Sequence, residues 1–142
     1  MNAAGYEFDD DPARIDRAVV WQFMSEQAYW GGWRDQDVVH RQIDVSWRVV
    51  GGYHRATGAM VAFARAISDG FSLAYLADVF VLPAHRGHGL GVALVDTMIE
   101  ESSGPHFRWM LHTGDAHRLY AKAGFRAPDH TYLERPGRPP NP

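Results

Sequence analysis

The stretch LADVFVLPAHRGHGLG, residues 76–91, decides the fold. An apolar, partly β-branched run ends at Pro83. Arg86 follows, then three glycines on alternate positions, Gly87, Gly89 and Gly91. Leu90, Ala93, Leu94 and Met98 continue at helical spacing. The first pattern reads as a strand stopped by proline. The last reads as an amphipathic helix. Between them the backbone is bare and a positive charge stands beside it. A helix start carries unpaired N–H groups and a partial positive charge. A phosphate settles there when no Cβ blocks its approach. Arg86 adds a guanidinium that grips phosphate oxygens as a fork. The plainer reading is a turn that only lets strand and helix pack closely. Three alternating glycines beside an arginine favour the phosphate.

The spacing excludes two common phosphate sites. A P-loop needs Gly-Lys-Ser/Thr after its glycines, and none follows. A dinucleotide fingerprint places its third glycine at position 92, which is valine here. It also needs an acid some 20 residues on, at the end of a second strand, and Asp115 fits that place poorly.

Outward from this stretch, the chain alternates strand and helix patterns. Tyr6–Phe8 reads as a short strand. Asp11-Pro12 predicts a helix start, with Ile15, Val19, Val20, Phe23 and Met24 as its apolar stripe. A second helix is expected over Asp35–Ile43. Strands are expected over Val45–Tyr53, Met60–Ile67 and Leu73–Leu82. A helix should follow over Gly89–Glu101, a strand over Phe107–His112, a helix over Asp115–Ala123 ended by Gly124, and a last strand over Thr131–Glu134. Mixed strands with interspersed helices imply an α/β fold, a central mixed sheet with helices on both faces.

The 142 residues suit one domain, expected over residues 1–135, with the proline-rich stretch 136–142 as a fraying tail. The net charge of −3 and the scattered basic residues argue against nucleic acid as a partner. Cysteine is absent, which removes disulfides, thiolate ligands and cysteine nucleophiles. The acidic opening MNAAGYEFDDDPARID is unlike a signal peptide, and no apolar run approaches a membrane span. The expectation is a soluble, cytoplasmic protein without a membrane partner, either a monomer or a homodimer. His112 and His117 flank a helix start but have no third ligand at a recognisable spacing, so no metal is expected.

Two pieces of the chain together resemble the GNAT superfamily of acyl-CoA N-acyltransferases. Arg86-Gly87-His88-Gly89-Leu90-Gly91 resembles its Arg/Gln-x-x-Gly-x-Gly/Ala signature, and DVFVLPAH before it looks like the family's fourth strand. DAHRLYAKAGF, residues 115–125, looks like its second signature. The resemblance covers about residues 58–126 and points to small bacterial single-domain members of unassigned substrate. It implies a GNAT-like fold and acetyl-CoA as cosubstrate. The pantetheine arm would pair with the strand near Phe80 and Val81. The pyrophosphate would rest on the loop from Arg86 through Gly87, His88, Gly89 and Leu90 to Gly91. An amine would then attack the thioester directly, with no covalent enzyme intermediate.

The resemblance also assigns roles. Tyr120 stands at the family's place for the acid that protonates the leaving thiolate. A phenol held close to a thiolate can donate to it. Asp78, a carboxylate in the middle of an apolar strand, is the candidate base, its pKa raised by burial. An equal reading of Asp78 is structural, capping a loop or pairing with an arginine. Ala77 stands where some members have glutamate. Asp115 is first a helix cap and second a cofactor contact. In AYWGGWRDQD, residues 28–37, Tyr29 and Trp33 offer aromatic faces to an ammonium and Arg34 offers a fork to an acceptor carboxylate. Trp30 is expected to pack the helical layer. Tyr75 completes the expected acceptor site. The acceptor would be the amine of a small molecule or peptide. The rival from another class is a non-catalytic module of this fold that senses acyl-CoA. The presence of both Tyr120 and Asp78 favours the enzyme.

Overall fold

A computed structural model describes residues 3–30 and 33–138. Five strands form one sheet in the order β1-β2-β3-β4-β5. They are β1 (Tyr6–Asp9), β2 (Arg48–His54), β3 (Met60–Ser68), β4 (Leu73–Val81) and β5 (Arg108–Met110). Neighbours are antiparallel except β4 and β5, which run parallel. A parallel pair needs a crossover, and the helix α3 (Leu90–Glu100) supplies it. The other helices are α1 (Arg17–Glu26), α2 (Gln36–Val45) and α4 (His117–Lys122).

The core lies in two layers because strand side chains alternate between faces. Val49, Phe63 and Phe80 pack with Val20, Phe23 and Met24 of α1 and with Val39 and Ile43 of α2. Val50, Ala62, Ala64, Ala66 and Leu76 pack with Leu94, Val95 and Met98 of α3. The three alanines of β3 are fully buried. Their small side chains let α3 lie close to the sheet. The sheet is therefore mixed and covered by helices on both faces, as the sequence pattern implied.

The chain ends and junctions differ from the pattern. Asp11 does cap a helix, but only one 3-10 turn, Pro12–Arg14. Ile15 is then extended and buried, and Asp16 caps α1 by accepting a hydrogen bond from Val19 N–H at 3.2 Å. Burying Ile15 breaks what the apolar stripe suggested was one helix. Helix α2 runs on to Val45, so β2 starts at Arg48 rather than Val45. Helix α4 starts at His117, and Asp115 does not cap it. Ala116 stands at its N-cap without a side-chain cap, and Thr113 Oγ1 accepts from Ala116 N–H at 3.0 Å in the turn before it. The expected strand over Thr131–Glu134 does not form. Asp129 Oδ1 accepts from Thr131 N–H at 2.8 Å there, a local turn that competes with strand pairing.

Candidate active site

The sheet opens where the strands part. β5 pairs with β4 only from Leu73↔Arg108 to Tyr75↔Met110. Beyond Tyr75 the outer edge of β4 has no strand beside it among the described residues. A β-bulge adds to the divergence. Phe63 faces Phe80 and Arg65 faces Ala77, so two steps along β3 match three along β4. The extra residue lies at Asp78–Val79, and Asp78 has φ +54°. Asp78 is alone among the described non-glycine residues in having positive φ. Aspartate tolerates this conformation better than most residues, and bulges re-aim side chains beside sites.

A cavity of about 390 Å³ fills the opening. Its β4 wall carries Tyr75, Ala77, Asp78 and Val79 over Arg65 and Arg34. The opposite wall carries His112, Asp115 and Tyr120, with Tyr29 and Trp33 at the side.

Asp78 is saturated by partners. Its Oδ1 accepts from Trp30 Nε1 at 3.0 Å and from Arg34 Nη2 at 2.9 Å. Its Oδ2 accepts from Arg34 Nη1 at 2.8 Å and from Arg65 Nε at 2.7 Å. Burial pushes the Asp78 carboxyl up, but the hydrogen bonds and charges of Arg34 and Arg65 outweigh it and hold the pKa below its ordinary value. The raised pKa expected of a base is therefore overturned. Asp78 is an ionised carboxylate between two guanidinium groups, which makes it a poor proton acceptor. Arg34 is likewise corrected. Only 7% exposed, it spends both Nη atoms on Asp78, Gln42 Oε1 at 2.7 Å and Met24 Sδ at 3.3 Å. It braces the site and offers no free fork to an acceptor. Trp30 packs against Phe23, as expected, and adds the bond to Asp78.

A second polar chain lies across the cavity. Tyr75 Oη meets His112 Nδ1 at 2.5 Å, and His112 Nε2 meets Glu134 Oε2 at 3.1 Å. A carboxylate on Nε2 favours the proton there, which leaves Nδ1 to accept from the tyrosine. Burial first, then the nearby Tyr132 and Glu134, raise the Tyr75 pKa. The sequence reading weighed His112 only as a metal ligand and did not single out Glu134. No spacing joins them, because the Tyr75–His112 contact spans the parting strands.

Tyr120 is half-buried on α4 with Leu119 and Phe125 beside it. Burial first, then Tyr29 and Asp115, push its pKa up to about 12. It keeps its proton throughout the physiological range. Tyr29, 66% exposed, accepts from Gly114 N–H at 2.9 Å and so ties the α1–α2 connection to the wall that carries Tyr120. Trp33 is 71% exposed, with the Arg34 guanidinium 5.5 Å from its ring centre. Gly31 and Gly32 lie outside the described residues, as do residues 139–142 of the tail.

The glycines of the opening stretch divide by cause. Gly87 and Gly89 have φ of +86° and +74°, which glycine adopts at no cost. A Cβ at Gly87 would meet no atom within 4 Å, so open space faces this turn. Gly91 is different. A Cβ there would stand 2.5 Å from Leu119 Cδ1, so its bareness serves the packing of α3 on α4. Ala93 N–H is the first in α3 to reach back, to Gly89 C=O. The N–H groups before it are those a helix start leaves over. Arg86 and His88 are exposed, and Arg86 Nε donates to Val81 C=O at 3.0 Å. Leu82 N–H bonds to Val61 C=O in β3. Strand alternation then turns the backbone groups of Val79 and Val81 to the open edge and those of Phe80 inward. The side chains of Phe80 and Leu90 are both buried, the former stacked on Phe23 at 4.2 Å between ring centres. Neither side chain is available to a ligand.

An open strand edge runs into a glycine turn and a helix start, beside a cavity walled by two hydroxyls and a histidine. This arrangement agrees with known proteins. Residues 48–127 match the family model described as Acetyltransferase (GNAT) domain. A solved acetyltransferase assigned to the GNAT family, from Xanthomonas campestris pv. campestris, is 37% identical with a TM-score of 0.84 over 93% of each chain. A predicted acetyltransferase from Clostridium acetobutylicum, solved with acetyl-CoA, shares the fold at 15% identity, with a TM-score of 0.64 over 92% of this chain and 94% of that one. A curated protein of Gibberella zeae, named as an acetyltransferase, is 41% identical over 64 residues, which is 44% of this chain. The match spans 36% of that relative's length. Motif, sheet opening and overall shape coincide with one family, and the chain belongs to the GNAT acetyltransferases.

Proposed function

We propose that the chain is an acetyl-CoA-dependent N-acetyltransferase that moves the acetyl group directly to a primary amine. The observation that carries this is the parting of β4 from β5, which opens a strand edge onto the glycine turn and places Tyr75, His112 and Tyr120 on one cavity. The residues fit acetyl-CoA. Val79 and Val81 offer edge backbone groups to an amide-bearing arm. The space before Gly87, the left-over N–H groups of α3 and the Arg86 guanidinium suit a pyrophosphate. The fold relative from Clostridium acetobutylicum was solved with acetyl-CoA. Bound acetyl-CoA supplies an activated acetyl thioester.

The chain's own groups handle the protons. As the amine nitrogen forms its bond to the acetyl carbon, Tyr75 takes the amine proton and passes its own to His112 Nδ1. The imidazolium is held by Glu134, the logic of a base oriented by a third group. As the carbon–sulfur bond breaks, Tyr120 gives a hydrogen bond and then a proton to the departing sulfur. Burial keeps Tyr120 protonated until then, and makes it a weaker acid than a free phenol. Asp78 holds the bulge and touches neither proton.

The test is a thermal-shift titration with acetyl-CoA, with NAD as the control, followed by thiol release with an amine panel. At 100 times Kd, binding adds about 2.7 kcal/mol, worth roughly 5 to 15 °C in Tm. A shift with acetyl-CoA alone and thiol release with an amine support the reading. No shift overturns it. A shift without thiol release from any amine leaves the acyl-CoA sensor.

A further inference from the structure

Two guanidinium groups face one carboxylate in the floor of the cavity. Arg34, Arg65 and Asp78 are 7%, 5% and 8% exposed. Each Asp78 oxygen already accepts two hydrogen bonds, so the carboxylate is fully used. The cluster carries an excess of one positive charge where water is scarce. A buried charge without a counter-charge is costly.

The two arginines are not equivalent. Arg34 has its Nη atoms committed to Asp78, Gln42 and Met24, and its Nε is buried away from any partner. Arg65 gives Asp78 only its Nε. Its Nη1 and Nη2 meet no acceptor among the described residues and are not among the atoms sealed from solvent. Arg65 lines the cavity, and these two nitrogens are the part of its guanidinium that Asp78 leaves unused. A planar guanidinium edge matches a carboxylate with two parallel hydrogen bonds. Asp115, the acid on the opposite wall, is exposed and makes no bond to either arginine.

We infer that the acceptor is an amine that carries its own carboxylate, of the amino-acid kind, and that Arg65 binds that carboxylate against the Asp78 cluster. The inference rests on the acetyltransferase reading and deepens it. Substrate binding brings the missing negative charge, and Arg65 fixes the acceptor by the end that does not react. A cavity of about 390 Å³ shared with the acetyl end of the donor leaves room for a small acceptor.

The experiment measures binding and turnover side by side. Free alanine, methionine, glutamate and phenylalanine are compared with their carboxamides, each added to the protein saturated with CoA, and thermal stability is read. A free acid at ten times its Kd should raise Tm by about 3 to 6 °C, while its amide gives no shift. With acetyl-CoA, thiol release should favour the acid over its amide at least tenfold in kcat/KM. Arg65→Lys, which keeps the charge and loses the fork, should bring that ratio towards one, with the acetyl-CoA shift retained as the sign of an intact fold. The wild-type comparison decides even if Arg65 variants do not fold. Amides that bind or react as well as the acids overturn the inference, and so does the absence of a shift with any free acid. A normal acetyl-CoA shift beside either result leaves the acetyltransferase reading standing. No acetyl-CoA shift overturns that reading first.

Discussion

The two walls of the cavity hold polar groups under opposite conditions. On the β4 side, Asp78, Arg34 and Arg65 are buried, and every Asp78 lone pair in use belongs to the fold. Across from it, His112 and Glu134, whose side chains are about half exposed, continue a chain that starts at Tyr75 of β4. The buried wall is rigid and expensive to disturb. The exposed wall is cheap to hold and free to exchange protons with solvent and substrate. A carboxylate in the middle of an apolar strand is thus no guide to the base. Its burial requires cations, and the cations remove its basicity.

The sharpest way to break this contrast is Asp78→Ala. It strands two buried guanidinium groups and puts alanine at a positive φ. Loss of one partner from a buried pair costs about 3 to 5 kcal/mol, so Tm should fall by roughly 10 to 20 °C. The acid side carries a second signature. Because the folded pKa of Asp78 is depressed, its stabilisation is present above the ordinary carboxylate range and is lost as pH falls through the lowered value. Wild-type Tm should therefore hold from neutral pH down to about 4 and drop below it, and the variant should show a smaller drop. A variant with normal Tm and altered pH dependence of turnover would put Asp78 back among the proton acceptors.

The opposite wall is tested by His112→Gln. Stability should change by under 1 kcal/mol because the site is exposed. Turnover should fall about 100-fold, the usual scale for a lost general base. The acetyl-CoA thermal shift should not move. Unchanged turnover would remove the histidine from the mechanism. Tyr120→Phe comes next, with a loss of at least tenfold in kcat and no change in acetyl-CoA affinity. With the Tyr120 pKa near 12, its ionisation should leave no mark on the rate profile below pH 10.

The walls also differ in how far they are written in local sequence. The strand, turn and helix of residues 76–91 are legible because proline, glycine and helical spacing act within a few residues. Tyr120 is legible through the motif around it. Arg65 leaves a weaker trace, a lone charge in the apolar run MVAFARAIS. Asp78 is the same anomaly in the next strand. Two opposite charges inside adjacent apolar strands can face each other across the pairing, and the register brings Arg65 beside Ala77. The Tyr75–His112–Glu134 chain leaves no trace, because it joins residues 37 and 22 apart through the parting of two strands. The unformed strand at Thr131–Glu134 fails for a related reason. Its β-rich composition is outweighed by the Asp129 turn, and Glu134 is held by its side chain instead.

The smallest expected effect separates two glycines that look alike in the sequence. Gly87→Ala puts a side chain into open space at φ +86°. The cost is backbone strain of about 1 to 2 kcal/mol, and the change falls on the turn assigned to the pyrophosphate. Acetyl-CoA affinity should weaken while kcat at saturation holds. Gly91→Ala has no such strain, but its Cβ would stand 2.5 Å from Leu119 Cδ1. Leu119 must swing away, and the next residue on α4 is Tyr120. Here kcat should fall a few-fold while acetyl-CoA affinity changes less. Opposite signatures from the same substitution, only a few positions apart in the sequence, would show that one glycine serves the ligand and the other serves the wall that carries the acid. If both variants weaken acetyl-CoA alone, then Gly91 belongs to the phosphate turn and α4 tolerates the shift without moving Tyr120.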